Sequence, residues 1–185
     1  MSDTAQSRRA ICVFCGAKSG DDPRWVNIAF DFGRALAERG WTLVYGGGNV
    51  GLMGAVADGA LAGGGEVVGV IPRRLLEREV AHRGLTRLEV VADMAERKTR
   101  MIALADAFAS LPGGLGTLDE FFEVLTLAQI GYHDRRSVLL DQHGYWQPLL
   151  AALQAMVGHG FVREADLASL RVAPDIDSAI AALAP

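Results

Sequence analysis

Short apolar runs with few polar alternates are the feature that most limits how this chain can fold. They fall at Ala10–Phe14, Trp41–Tyr45, Glu66–Ile71, Arg87–Val91, Ala107–Leu111, Ser137–Leu140 and Leu170–Val172. A strand with one wet face alternates polar and apolar residues, whereas a nearly continuous apolar run is covered on both faces. Longer amphipathic stretches separate the runs. The first helix starts at Asp21 or Asp22 as cap, with Pro23 in its first turn, and runs to Arg39 before Gly40. Further helices are expected at Leu52–Ala62, Asp93–Ala105, from the Pro112–Thr117 turn to about Ile130, near Trp146–Val157 and at the C-terminal end. Residues 73–86 are charged and irregular, a loop with a short helix. Strand and helix in alternation give a parallel sheet with helices on both faces. The expected fold is one doubly wound, Rossmann-like α/β domain over residues 1–185, with residues 1–9 as a disordered tail.

The balance of residues supports a packed domain and removes several functions. Of 185 residues, 50% are hydrophobic and 22% charged, which suits a globular chain of one-domain size. The formal net charge of −4 leaves no global positive field for nucleic acid or an anionic membrane. Arg8 and Arg9 are not followed by a signal core, and no run approaches the length of a membrane span. With two cysteines and no export signal, the cytoplasm is the expected compartment. Cys12 and Cys15 lie three residues apart on a strand and so face opposite sides, as structural thiols and not a redox pair. His82, His133, His143 and His159 lack ligand spacing, so no metal is expected.

In a doubly wound sheet, ligands sit outside the carboxyl ends of the strands. Two glycine-rich turns fall there and are expected to face one crevice. The first, Gly46-Gly47-Gly48-Asn49-Val50-Gly51, matches G-x-G-x-x-G, yet it follows the second strand. The acid about 20 residues on, Glu66, begins the next strand, whereas a ribose-binding acid stands at that strand's end. A dinucleotide is therefore disfavoured, and Gly47 and Gly48 are read as helping to hold a bare phosphate. The second turn, Pro112-Gly113-Gly114-Leu115-Gly116-Thr117, can form an anion nest from backbone amides and the Thr117 hydroxyl. It has no P-loop lysine, so one phosphate suits it better than three.

Asp119 and Glu120 follow and are expected in the first turn of the helix. Asp119, Glu123 and Thr126 share a face at i, i+4 and i+7, with Glu120 adjoining. Such carboxylates must be solvated or meet a cation. Upstream, Met94-Ala95-Glu96-Arg97-Lys98 opens a helix beside the same crevice. Arg97 or Lys98 could there meet a phosphate or a developing charge.

Taken together, these segments resemble the Lonely Guy family of cytokinin-activating phosphoribohydrolases. Pro112–Glu120 fits the family's P-G-G-x-G-T-x-x-E signature, and Arg97-Lys98 lies upstream at the family's spacing. Phe14-Cys15-Gly16, Tyr45–Gly48 with Gly51–Gly54, Arg78-Glu79 and Gln129–Asp134 are also similar to family segments. The likeness runs from about Ile11 to Leu140. It implies that Arg97 and Glu120 are the catalytic pair. It further implies that Gly114, Leu115, Gly116, Thr117, Leu118, Asp119, Glu120 and Thr126 line the nucleotide site, with Gly113 in the phosphate nest. Lys98 would accompany Arg97, and Glu79 would contact substrate. Asp119 stands where many relatives have glutamate, and Ala17-Lys18 replaces a more usual small or serine-rich stretch. The implied reaction releases free base and ribose 5-phosphate from an adenosine 5′-monophosphate, plain or N6-modified, without metal or cofactor, in a homodimer. A non-catalytic nucleotide- or molybdenum-cofactor-binding module is the alternative. A lysine decarboxylase using pyridoxal phosphate would need a Schiff-base lysine, and Lys18 and Lys98 are the only lysines.

Overall fold

The computed structural model describes residues 8–76 and 81–185. Most of the expected N-terminal tail, and the Arg78-Glu79 segment, therefore lie outside the described residues. The seven strands are β1 (Ala10–Phe14), β2 (Thr42–Tyr45), β3 (Val67–Pro72), β4 (Arg87–Val91), β5 (Ala107–Ser110), β6 (Ser137–Leu140) and β7 (Leu170–Ala173). They pair in the order β4-β3-β2-β1-β5-β6-β7, all parallel. The α-helices among the described residues are α1 (Pro23–Glu38), α2 (Gly51–Ala62), α3 (Met94–Leu104), α4 (Leu115–Gln129), α5 (Gln147–Gly158) and α6 (Ile176–Leu183). Among the described residues, no helix is long and apolar enough to cross a membrane.

The strand alternation sorts the core into two layers. Ile11, Val13, Leu43, Tyr45, Ala109 and Leu140 face α1, α2 and α6, where Phe32, Leu36, Val56, Ile180 and Leu183 meet them. Cys12, Phe14, Val44, Val70 and Phe108 face the other way onto Met101 of α3 and Val124 of α4. Phe121, Leu139, Trp146 and Leu153 close that second layer beneath α5. Strands β2, β3, β5 and β6 are buried along their whole length, while the edge strands β4 and β7 expose residues to water. This is the expected consequence of covering a parallel sheet on both faces. Cys12 and Cys15 are both free and buried, and they belong to opposite layers.

Local signals set the helix starts. The Asp22 carboxylate accepts from the Arg24 amide at 2.8 Å, and Pro23 follows where no amide is needed. Asp93 caps α3 through the Glu96 amide at 2.9 Å, and Asp175 caps α6 through Ser178 at 2.7 Å. Two strands start one residue later than the apolar runs suggest. The Trp41 amide is spent on the Leu36 carbonyl, closing α1. Glu66 gives its carbonyl to the Leu43 amide and its carboxylate to the Thr42 hydroxyl, so it precedes the strand proper. Helix α4 begins at Leu115, inside the glycine turn, so Asp119 and Glu120 stand in its second turn and not its first.

Helices α1 and α2 cross at glycine. A Cβ on Gly33 would come within 2.0 Å of the Val56 carbonyl oxygen, and one on Gly59 within 1.9 Å of that of Phe30. Both obstacles are backbone, so neither can swing aside. Elsewhere in a helix, replacing glycine by alanine gains up to about 1 kcal/mol. Here overpacking reverses the sign, and Gly59→Ala is expected to cost about 1–3 kcal/mol net. Urea denaturation checks this: a midpoint at or above wild type would contradict the close crossing.

Candidate active site

The chain runs outward from β1 to β4 and then returns to place β5 on the other side of β1. The loops leaving β1 and β5 therefore diverge, and a crevice opens between them. Their bases are tied together: the Gly16 amide donates to the Pro112 carbonyl at 3.0 Å. The Gly16 carbonyl in turn accepts from the Leu52 and Met53 amides at 2.9 and 3.3 Å, at the start of α2. Above this junction lies a cleft of about 720 Å³, a size that suits a small-molecule ligand.

The β5–α4 turn forms one wall through Gly113, Gly114, Leu115, Gly116 and Thr117. Gly114 is the N-cap of α4 and offers no side-chain acceptor to the first helical amides. Those of Leu115, Gly116 and Thr117 have no intrahelical partner, because a helix leaves its first amides unpaired. Partial positive charge collects at such an end, which favours an anion. Thr117 is buried, and a Cβ on Gly113 would stand 2.0 Å from its hydroxyl oxygen, so the turn needs glycine there.

Arg97 enters from α3 and is only 4% exposed. Its Nε donates to the Val70 carbonyl at 3.1 Å, and Nη2 donates to the Gly46 carbonyl at 2.7 Å. These carbonyls belong to β3 and to the turn just after β2. A Cβ on Gly46 would lie 2.1 Å from Nη2, so the guanidinium occupies the space a side chain would take. Half-buried Glu120, from α4, lines the same cleft. Cys15 reports on both. Burial pushes its thiol pKa up, the Glu120 carboxylate adds to the rise, and Arg97 opposes it.

Other residues expected at the site are placed elsewhere. Lys98 bridges α3 to α4, with Nζ 3.0 Å from Asp119 and 2.9 Å from Glu123. The Glu123 carboxylate, with Asp119 adding, raises the Lys98 pKa against the opposing effect of burial. Neither Lys98 nor Asp119 is among the residues that line the cleft. Leu118 packs inward toward Phe121 and Trp146, and Thr126 is exposed two turns beyond the cleft. Gly47 and Gly48 point to the β3–β4 side. The Gly47 carbonyl accepts from the His82 amide at 3.1 Å, and Gly48 forms an antiparallel bridge with Ala81. The two glycine turns thus divide the work, one against the cleft and one behind it. Glu79 lies outside the described residues.

The sequence reading missed the opposite wall. Trp25 of α1 and Tyr145, from the segment after β6, line the cleft in an edge-to-face contact with ring centroids 5.6 Å apart. The Tyr145 hydroxyl donates to the Gly113 carbonyl at 2.6 Å and so braces the glycine turn. Met53, Met94 and Lys18 complete the lining. Position alone could have flagged Lys18 and Trp25, because both follow the strand at which the topology reverses. Tyr145 carried no such signal. Among the described residues, no three His, Cys, Asp or Glu side chains come together as a metal site.

The chain as a whole is similar to several known proteins. The family model described as "Possible lysine decarboxylase" matches residues 53–183. A cytokinin riboside 5′-monophosphate phosphoribohydrolase from Rhodococcoides fascians is 46% identical over 184 residues, covering 97% of this chain and 93% of its own. One from Arabidopsis thaliana is 45% identical over 162 residues, covering 88% of this chain and 75% of its own. Among solved structures, the molybdenum cofactor carrier protein of Chlamydomonas reinhardtii superposes with a TM-score of 0.73 at 23% identity. It spans 95% of this chain and 96% of its own. The molybdenum cofactor binding protein of Rippkaea orientalis gives 0.71 at 20% identity, over 96% of each chain. The structural likenesses carry the fold. The sequence identities carry more: this chain belongs to the Lonely Guy family, whose curated members are cytokinin riboside 5′-monophosphate phosphoribohydrolases.

Proposed function

We propose that this cleft hydrolyses the N-glycosidic bond of a purine nucleoside 5′-monophosphate, releasing free base and ribose 5-phosphate. The substrate class is an adenosine 5′-monophosphate, plain or carrying an N6 substituent. The observation that carries the reading is the convergence of Arg97, Glu120 and the Gly113–Thr117 turn on one cleft. The 5′-phosphate sits on the α4 N-terminus, which sets the ribose toward Glu120. Breaking the C1′–N9 bond leaves positive charge on the ribose, and an anion near the anomeric carbon stabilises it. Glu120 supplies that charge and takes a proton from water as its oxygen bonds to C1′. The departing purine keeps the electron pair of the broken bond and takes up a proton, so that the proton Glu120 removes from water balances the one the base gains. Arg97 is not the proton donor, since a guanidinium does not give up its proton in proteins. With two donors fixed on backbone carbonyls, it is a preset positive charge that positions substrate and offsets negative charge.

The same reading makes the protein a cytoplasmic homodimer. Ile130, Tyr132 and Phe161 are exposed apolar side chains that a second subunit would cover. The fold likeness to molybdenum cofactor carriers supports a second reading, in which the cleft binds a nucleotide-like group without turnover. Chromatography separates the two. Incubation with AMP and N6-isopentenyl-AMP is expected to release free base, and stoichiometric nucleotide binding without release would favour the carrier.

Two substitutions test the assigned pair. Glu120→Gln is expected to lower turnover by about 10²–10⁴-fold, the range of a lost general base. A wild-type rate would remove Glu120 from the chemistry. Arg97→Ala is expected to abolish measurable turnover and also to destabilise the fold by about 1–3 kcal/mol, because two strand-end carbonyls lose their donor. Circular dichroism and urea titration measure the second effect, and activity at a temperature where the variant is folded measures the first. A folded Arg97→Ala protein with normal turnover would contradict the pairing.

A further inference from the structure

Four charged side chains line the cleft among the described residues: Lys18, Asp21, Arg97 and Glu120. Formally they cancel, so a phosphate ester entering with its own negative charge needs a cation that it can reach. Arg97 is nearly sealed from solvent and holds two backbone carbonyls. Lys98 is outside the cleft, clamped between Asp119 and Glu123. Lys18 alone of the three combines an exposed side chain with a place in the cleft lining, and none of the ion pairs among the described residues engages it. Its nearest charged neighbour along the loop, Asp21, accepts from the Trp25 indole at 3.2 Å.

Placement reinforces the charge argument. Lys18 stands on the β1–α1 loop, whose base at Gly16 is hydrogen-bonded to Pro112 and to the first amides of α2. A Cβ built on Gly16 would lie 3.1 Å from the Lys18 carbonyl oxygen and 3.4 Å from the Gly113 Cα. The lysine-bearing loop and the glycine turn that opens α4 are therefore in direct contact. We infer that Lys18 is the side-chain cation that binds the substrate's 5′-phosphate, opposite the Leu115–Thr117 amides. This inference rests on the nucleotide reading of the cleft. It gives Lys18 the phosphate role that the sequence had left open between Arg97 and Lys98. A flexible ammonium on an exposed loop can reach phosphate oxygens without a fixed fork geometry.

Isothermal titration of the full chain with inorganic phosphate, AMP and adenosine tests the assignment on wild type, Lys18→Met and Lys18→Arg. Lys18→Met is expected to weaken phosphate and AMP binding about tenfold, the size of one charge-assisted hydrogen bond. Lys18→Arg should stay within about threefold of wild type because the charge remains. Adenosine has no phosphate and should bind both variants as it binds wild type. In steady-state assays the loss for Lys18→Met should appear in KM more than in kcat. Wild-type affinity of Lys18→Met for phosphate and AMP would overturn the inference. So would an equal loss for adenosine, which would mark a general disturbance of the cleft. Titration needs no turnover, so failure of wild type to release base would count against the hydrolase reading and not against Lys18.

Discussion

A parallel sheet aims its last carbonyls out of one end, where no further strand amide meets them, and an unpaired buried carbonyl is costly. Arg97 answers that constraint here by donating to Val70 beyond the middle of β3 and to Gly46 just past β2. The same two bonds fix the guanidinium at the floor of the cleft. Stability and the proposed chemistry are thus joined in one side chain, and the requirement reaches back into the sequence. Gly46 must lack a Cβ, α3 must start where Asp93 caps it, and Met94 must stand one turn before Arg97 at the rim.

Helix geometry then explains why neighbouring charges have different roles. Consecutive residues on an α-helix point about 100° apart. Arg97 and Lys98 therefore cannot face the same partner, nor can Asp119 and Glu120. The structure places Arg97 and Glu120 at the cleft, and Lys98 with Asp119 and Glu123 at the contact between α3 and α4. The second cluster ties the two helices together, and the first pair reaches the cleft from these same neighbouring helices. An Arg-Lys dipeptide and an Asp-Glu dipeptide look like two units of charge in sequence. In space they are one site and one brace.

This sets what could be read in advance. Strands Ala10–Phe14, Arg87–Val91 and Ser137–Leu140 were legible to the residue, because an apolar run between turn residues has few alternatives. The sharing of one helix face by Asp119 and Glu123 was legible from spacing, as was their need for either water or a cation. That the cation is Lys98 was not, because it depends on how α3 and α4 lie against each other. Trp25 and Tyr145, 120 positions apart in the chain, meet only through the tertiary fold. The start of α4 was misjudged for a local reason: glycine-rich residues 114–117 have poor helix propensity, yet Leu115, Gly116 and Thr117 are helical once the turn is packed behind Gly113.

The two glycine turns differ in what they leave open to the proposed phosphate. Both follow strands and open helices, and the first even matches the dinucleotide pattern. A nest binds an anion only if its amides are unspent. At the start of α2 the Leu52 and Met53 amides already donate to the Gly16 carbonyl, and the carbonyls of Gly46 and Gly47 serve Arg97 and His82. At the start of α4, by contrast, no acceptor among the described residues takes the amides of Leu115, Gly116 or Thr117. The start of α2 is thus committed to the loop after β1, whereas the start of α4 is left open to the cleft. What decides between them is the count of uncommitted donors facing the cleft, which depends on the loop after β1 and cannot be found in either motif alone.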